Sequence, residues 1–150
     1  QSVGEIIVRG DNVMKGYWKL PGETQRAIQG GYFHTGDLAT VDEEGYVFIV
    51  DRAKDIIISG GENISSIEVE NVLYTHPDVL ECAVIAMDDP KWGEVPKAVV
   101  SLKSGSRADE TSLIAFCRER MPGFKAPKAV SFVDELPKTG SGKIRKVDLR

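Results

Sequence analysis

The run LPKTGSGKIRK, residues 136–146, places two glycines and a lysine where a phosphate could be bound. A Walker phosphate-binding loop needs a glycine five positions before its Gly-Lys pair and a serine or threonine directly after the lysine. Pro137 and Ile144 occupy those positions, so both requirements fail. Composition alone leaves two interpretations of Lys143, a cation on a mobile glycine-hinged loop or one charge of a solvated basic tail.

Two further runs contain residues that could bind a nucleotide. In GGYFHTGDL, residues 30–38, the Asp37 carboxylate offers two acceptor oxygens, which suit the two hydroxyls of a ribose. An aspartate after Thr-Gly can equally cap its own turn, and the tripeptide alone favours that structural role. The run VDRAKDIIISGGENI, residues 50–64, is by itself a strand with a polar approach, ended by a turn at Gly60 and Gly61.

Bulk composition excludes several classes of function. The net charge of −4 gives no general nucleic-acid or anionic-membrane footprint, and basic residues are in excess only over residues 138–150. No apolar run approaches the ~20 residues of a membrane span. Cys82 and Cys117 lie in apolar stretches, which favours buried free thiols in a reducing, cytoplasmic compartment and no metal site. The start at Gln1 predicts a fragment or a processed chain.

Hydrophobic periodicity predicts the elements that must position these residues. Capping residues predict helices that begin at Ser65 and Asp109. With the predicted strands, residues 55–135 form an α+β layer in the order β-α-β-β-α-β. Residues 1–50 are predicted to be mostly strand and turn, with too little apolar surface to close a core alone. The predicted strands cover residues 4–10, 46–50, 55–59, 80–87, 96–103 and 129–137.

In order and spacing, these runs and DELPKTGSGKIRK at residues 134–146 resemble the adenylate-forming superfamily of acyl-CoA synthetases, luciferases and peptide-synthetase adenylation domains. The resemblance covers essentially the whole chain. It implies that residues 1–51 are the C-terminal end of a large, β-rich AMP-binding domain. Residues 52–150 would be a small C-terminal domain that rotates about a hinge. In the family reaction, a carboxylate and ATP form acyl-AMP and pyrophosphate, and the CoA thiol then displaces AMP.

The resemblance also implies roles for single residues. Lys143 matches the lysine that enters the active site for adenylation, where an ammonium would lower the repulsion between a carboxylate and a triphosphate. Ile58 stands where some members carry a second lysine, so no second catalytic lysine is expected there. The remaining matches are Asp37 and Arg52 as ribose contacts, Lys54 as the hinge, and Gly60 and Gly61 beside the passage for the pantetheine arm of CoA.

The implied parent is an ATP-dependent, AMP-forming acid–thiol ligase acting on a fatty or aryl acid. Its expected partners are the carboxylic acid, ATP with Mg²⁺, CoA and the upstream large domain. The family's phosphate loop and acyl pocket lie upstream, so this chain alone is expected to be inactive and to hold no tightly bound cofactor. The runs ISGGEN and GKIRK favour the CoA branch. An adenylation domain that loads a carrier protein, a luciferase-like oxygenase and a non-catalytic interaction module remain alternatives.

Overall fold

The structure, a computed structural model, describes residues 2–150. The chain divides into two compact units, of which the first ends at Lys54 and the second spans Asp55–Arg150. The domain boundary predicted from the sequence lies slightly earlier, after residue 51, and stays a prediction. Helices and strands are mixed along the chain, and the predicted α+β class is confirmed.

The first unit is a sheet built around one long strand. This strand, β3, pairs with β1, β2 and β4, and every pairing is antiparallel. The β3–β4 hairpin turns at Asp42, whose carboxylate accepts the backbone N–H groups of Glu44 and Tyr46 at 3.0 and 2.9 Å. The elements are β1 Gly4–Val8, α1 Pro21–Ala27, β2 Ile28–Gln29, β3 Tyr32–Val41 and β4 Val47–Arg52.

This region is mostly strand and turn, as predicted, but it also contains the helix α1, which was not predicted. Its sequence PGETQRA lacks an apolar face, and it contains no buried residue, so periodicity gave no signal for it. Pro21 at the start of the helix is the signal that was available, because proline suits the first helical position.

The first unit has very little core of its own. Between residues 2 and 54, Ala39 and Asp51 are the buried residues. Large apolar side chains on the β3–β4 hairpin are instead 54% to 63% exposed; these are Val41, Tyr46, Val47, Phe48 and Ile49. The expectation that these residues cannot close a core alone is confirmed.

The second unit is a sheet centred on β8. This strand pairs antiparallel with β7 and, at Ser59 and Gly93, with β5; it pairs parallel with β9. The two helices pack against each other, α2 also against β7 and α3 against β9. The elements are β5 Ile57–Ser59, β6 Glu62–Ile64, α2 Ser66–Tyr74, β7 Val79–Asp89, β8 Gly93–Leu102, α3 Glu110–Arg118 and β9 Ala129–Phe132.

The predicted order of this unit lacks one strand. Strand β6 pairs antiparallel with β5, so the observed order is β-β-α-β-β-α-β. Three residues are too few for a period-two pattern, and the hairpin is instead specified by the glycine turn that joins the two strands.

Both helices of the second unit begin where their caps predict. Ser65 Oγ accepts the N–H of Glu68 at 3.3 Å, and Asp109 Oδ1 accepts the N–H of Ser112 at 2.7 Å. The Asp109 pKa is lowered because its ionised form accepts hydrogen bonds from Ser112. The Glu68 carboxylate lies 2.7 Å from Lys125 Nζ, so it ties α2 to the segment before β9.

The sheet of the second unit has apolar side chains on both faces. Along β7, Cys82 and Val84 pack with the residues of the two helices. Ala83 and Ile85 belong to a second cluster that includes Leu136 and, more loosely packed, Ile144 and Leu149 from the end of the chain. Because successive side chains of a strand alternate between faces, the C-terminal segment covers the face opposite the helices.

Candidate functional site

The pairing of β3 with β4 brings Asp37 and Arg52 together. They are directly opposed in the strand register, and Arg52 Nε lies 2.8 Å from Asp37 Oδ1. Arg52 Nη2 also donates to the Thr35 carbonyl oxygen at 3.0 Å. The side chain of Arg52 is 50% exposed and that of Asp37 is 34% exposed, so a ligand in solvent can reach the pair.

Hydrogen bonds fix the backbone bend at Thr35 and Gly36, directly before Asp37; this bend is called the corner below. Thr35 Oγ1 donates to the Ile6 carbonyl at 2.7 Å and accepts the Asp37 N–H at 3.0 Å. Gly36 has φ +73°, a conformation that suits glycine. The Asp37 carboxylate is directed at Arg52, so the alternative that it caps its own turn is wrong.

Glu5 supports this corner and was missed by sequence reasoning. Its carboxylate accepts the Gly36 N–H at 3.0 Å and contacts His34 Nδ1 at 2.8 Å. The hydrogen bond with His34 has the largest effect on the pKa of Glu5, which it lowers, and the hydrogen bond from Gly36 lowers it further. Glu5 lies 31 residues before Gly36, so only the pairing of β1 with β3 reveals the contact.

Lys54 lies at the junction between the two units. It is the middle residue of a 3-10 turn, Ala53–Asp55, and its side chain is exposed. Just before the turn, the buried Asp51 accepts the Arg52 N–H at 2.7 Å. The division between the two units falls directly after Lys54.

Gly60 and Gly61 form the two-residue turn between β5 and β6. Ser59 and Glu62 are register partners, and the glycines have φ values of +59° and +87°, the signature of a type I′ hairpin. The Gly60 N–H donates to the Trp92 carbonyl at 2.8 Å, and a Cβ at Gly60 would lie 2.8 Å from the Trp92 ring. Apart from its two chain neighbours, no residue has an atom within 4 Å of a Cβ position at Gly61, so this side of the turn is open.

Lys143 closes a tight turn. Thr139 N–H donates to the Lys143 carbonyl at 2.8 Å, and Gly142 N–H donates to the Thr139 carbonyl at 2.9 Å. Lys143 N–H also donates to Thr139 Oγ1 at 3.2 Å, and Gly142 has φ +82°. The predicted glycine-hinged loop is thus a turn whose backbone is hydrogen-bonded across its ends, and its mobility stays a prediction.

The other basic residues of this segment form ion pairs. Lys138 Nζ lies 2.9 Å from Glu81, a contact that raises the pKa of Lys138. Further pairs are Lys146 with Glu70 at 2.7 Å, Arg145 with Asp148 at 3.3 Å, and Arg150 with Asp55. Within residues 2–150, no hydrogen bond or ion pair holds the exposed Lys143 ammonium. The segment is thus not a solvated basic tail, and Lys143 differs from its neighbours.

The candidate residues fall in both units. Asp37, Arg52 and Lys54 belong to the first, and the Gly60–Gly61 turn and Lys143 to the second. No group of three or more His, Cys, Asp or Glu side chains suited to a metal ion occurs among the residues that the structure describes. No helix in the same range is long and apolar enough to cross a membrane.

Known proteins resemble this chain in sequence and in fold. It is 58% identical over 147 residues to feruloyl-CoA synthase from an Amycolatopsis species, covering 98% of this chain and 30% of that protein. ATP-bound MatB from Rhodopseudomonas palustris superposes with a TM-score of 0.91 at 41% identity, covering 99% of this chain and 30% of MatB. The o-succinylbenzoate CoA synthetase MenE from Bacillus subtilis, bound to its acyl-adenylate intermediate, superposes with a TM-score of 0.90 at 40% identity and the same coverage.

The chain therefore spans about 30% of the length of these relatives. A family model described as the AMP-binding enzyme C-terminal domain matches residues 68–143, which include most of α2, both long strands of the second unit and the Lys143 turn. This chain belongs to the AMP-binding enzyme C-terminal domain family.

Proposed function

We propose that this chain is the C-terminal portion of an ATP-dependent, AMP-forming acyl-CoA synthetase. Its parent would join a carboxylic acid to CoA through an acyl-AMP intermediate. The proposal is supported by relatives named as CoA synthases and synthetases and by their 30% coverage, which leaves room for a large upstream domain. Residues 1–51 would end that domain, and residues 52–150 would form the small, rotating one.

The observation that carries the proposal is the ammonium of Lys143. It is exposed and unpaired among residues 2–150, and it closes a tight turn whose neighbouring cations form ion pairs elsewhere. In the adenylation step, a carboxylate oxygen attacks the α-phosphorus of ATP and pyrophosphate leaves. At ~4 Å and an effective dielectric near 20, one attractive charge pair contributes about 4 kcal/mol. An ammonium that contacts both anions would lower the barrier by this type of interaction.

Asp37 and Arg52 would bind the ribose of the nucleotide. Arg52 forms an ion pair with Asp37 Oδ1. Because the pair is exposed, the Asp37 carboxylate can still accept hydrogen bonds from the hydroxyl groups of a ribose. Arg52 would thereby orient the carboxylate as well as contact the sugar. Mg²⁺ would enter bound to the phosphates of ATP. The proposed roles of the residues of this chain do not include binding the metal.

Lys54 would be the hinge between the two half-reactions. Its place in a 3-10 turn beside the division of the two units supports this role, because a few residues at element ends can absorb a domain rotation. After rotation, the pantetheine arm of CoA would pass beside Gly60 and Gly61. The open side of Gly61 supports that passage, since no side chain stands there.

The proposed substrate is a fatty or aryl acid. Aryl acids are favoured by the names of two relatives, a feruloyl-CoA synthase and an o-succinylbenzoate CoA synthetase. The proposed location is the cytoplasm, a reducing compartment. Its support is the pair of free, buried thiols, Cys82 and Cys117, whose pKa values burial raises to about 12 and about 11.

Replacement of Lys143 by alanine in the full-length parent tests the proposal. We expect pyrophosphate release from acid and ATP to fall about 10²–10³-fold, as for removal of one charge-stabilising donor. Thioester formation from supplied acyl-AMP should persist, because the opposite face of the small domain serves it. Lys103→Ala, which removes another exposed lysine, is the matched control. An equal loss of both steps in folded protein would refute the assignment of Lys143 to adenylation.

A further inference from the structure

The segment after Lys143 is anchored to the second unit by a mostly buried ion pair. Lys146 Nζ lies 2.7 Å from Glu70 Oε1 and 2.7 Å from Ser66 Oγ, both on α2. The side chains of Lys146 and Glu70 are only 17% and 14% exposed. A lysine this deeply enclosed contrasts with Lys143, which is exposed only three residues earlier.

Glu70 is itself fixed between two elements. Its Oε1 accepts the N–H of Val84 in β7 at 2.7 Å, while its backbone belongs to α2. The carboxylate that receives Lys146 is therefore oriented by the sheet as well as by the helix. On the opposite face of the sheet, Ile144 and Leu149 pack near Ile85 and hold the same segment from either side of Lys146.

A second ion pair holds the end of the chain. Arg150 pairs with Asp55, whose side chain is 9% exposed and which follows Lys54 directly. Both partners belong to the second unit. This pair therefore fastens the segment next to the residue proposed as the hinge.

Stability alone is a weak explanation for these contacts. The desolvation of a buried ion pair can exceed its Coulombic gain, so such a pair is weak evidence for stability. Three residues of backbone span at most about 10 Å, so an anchor at Lys146 closely limits where Lys143 can lie. Between these two lysines, the Arg145 N–H donates to the Pro137 carbonyl at 2.8 Å, so a hydrogen bond also holds the connecting backbone.

We propose that Lys146 is a positioning residue for acyl-AMP formation. Through Glu70 and Ser66 it holds the Lys143 turn in the place from which the ammonium reaches the reacting anions. The Asp55–Arg150 pair extends this anchor to the hinge, so the turn moves with the second unit as one body. The inference rests on the function proposed for Lys143.

Lys146→Met and Glu70→Gln in the full-length parent test this inference. Both variants keep the approximate side-chain size and remove one charge of the pair. We expect pyrophosphate release to fall about 10- to 100-fold, since a misplacement of about 1 Å can cost about 10²-fold. Thioester formation from supplied acyl-AMP should be unchanged. Lys146→Arg, which keeps the charge, should recover part of the adenylation rate.

Lys125→Met is the matched control. It breaks the ion pair with Glu68 on the same helix without touching the C-terminal segment, so both half-reactions should remain. In the 150-residue chain, the Arg145 N–H, which donates to the Pro137 carbonyl, should exchange faster with solvent deuterium in Lys146→Met than in Lys125→Met.

Three outcomes would overturn the inference. Equal loss of both half-reactions with a lower melting temperature would show that Lys146 serves the fold only. Unchanged adenylation in Lys146→Met, with adenylation lost in Lys143→Ala, would refute the inference and leave the proposed function intact. Unchanged adenylation in Lys143→Ala would refute the role of Lys143, and the positioning role of Lys146 with it.

Discussion

Gly60 and Gly61 share one turn but are constrained differently. Both have positive φ, a conformation that side chains other than glycine and asparagine rarely adopt. Gly60 is also enclosed, because a Cβ there would collide with Trp92, whereas the space beside Gly61 is open. The turn alone therefore explains Gly60, while Gly61 can also serve a ligand that passes it.

A leucine at Gly61 is expected to act in two ways in the full-length parent. Holding a leucine in the left-handed region costs about 1–2 kcal/mol, so the melting temperature should fall by a few degrees. The side chain would also occupy the open space proposed for the thiol arm. We therefore expect thioester formation to be lost while pyrophosphate release continues and acyl-AMP accumulates.

Gly61→Asn separates these two effects. Asparagine tolerates positive φ, so the fold should be kept while a smaller side chain enters the space. Pyrophosphate release, thioester formation and a melting curve are measured side by side for both variants. Normal thioester formation in Gly61→Leu would refute the proposed passage of the pantetheine arm and leave Gly61 with a role in the turn only.

At the scale of elements, one hairpin and one turn place three of the proposed functional residues. The β3–β4 register sets Asp37 opposite Arg52, 15 residues later in the chain. At the end of β4, the 3-10 turn Ala53–Asp55 carries Lys54 to the division between the units. A strand that ends in a short turn is a place where backbone angles can change without loss of sheet pairing.

Lys54→Pro in the full-length parent tests the hinge. Proline fixes φ at about −65°, and its ring also disfavours the helical region for the preceding Ala53. The turn at Lys54 should then be unable to switch between the backbone conformations that the two half-reactions require. One half-reaction should therefore persist while the rate of the other falls. Lys54→Ala keeps the backbone freedom and should retain both. Full overall turnover by Lys54→Pro, measured as thioester formed from acid, ATP and CoA, would place the hinge elsewhere.

At the scale of the whole molecule, the two units differ in how well each is supported by its own core. The second contains a continuous apolar cluster that includes Ile57, Leu73, Val100 and Leu113, each with no exposed surface. The first buries a single apolar side chain, Ala39, in the part of the chain that the structure describes. The apolar β3–β4 hairpin of the first unit is consistent with a surface that the upstream domain of the parent would cover.

The isolated 150-residue chain should therefore be stable in part only. Regions with few buried apolar contacts open first, so amides of residues 2–54 should exchange before those of β7 and β8. The second unit should unfold in one cooperative transition. The chain should not form acyl-CoA from acid, ATP and CoA. Hydrogen exchange with mass spectrometry and a coupled AMP assay check these outcomes, and robust AMP release by the chain alone would refute the proposed parent.

Local chemistry in the sequence determined much of the second unit. Helix starts at Ser65 and Asp109 depend on side chains within three residues of the cap, so they could be predicted, as could the two long apolar strands. The helix α1 and the strand β6 could not, because one has no apolar face and the other has three residues. Short elements depend on neighbours that are distant in sequence.

The sequence by itself also singled out Asp37, Arg52 and Lys143, through the resemblance of their runs to the adenylate-forming superfamily. Only the tertiary structure decided that Asp37 faces Arg52 and that Lys143 stands on a closed turn. It alone paired Lys146 with Glu70, 76 positions away along the chain. Motif spacing carries local geometry, whereas ion pairs and strand registers between distant segments arise from packing, which a single sequence does not display.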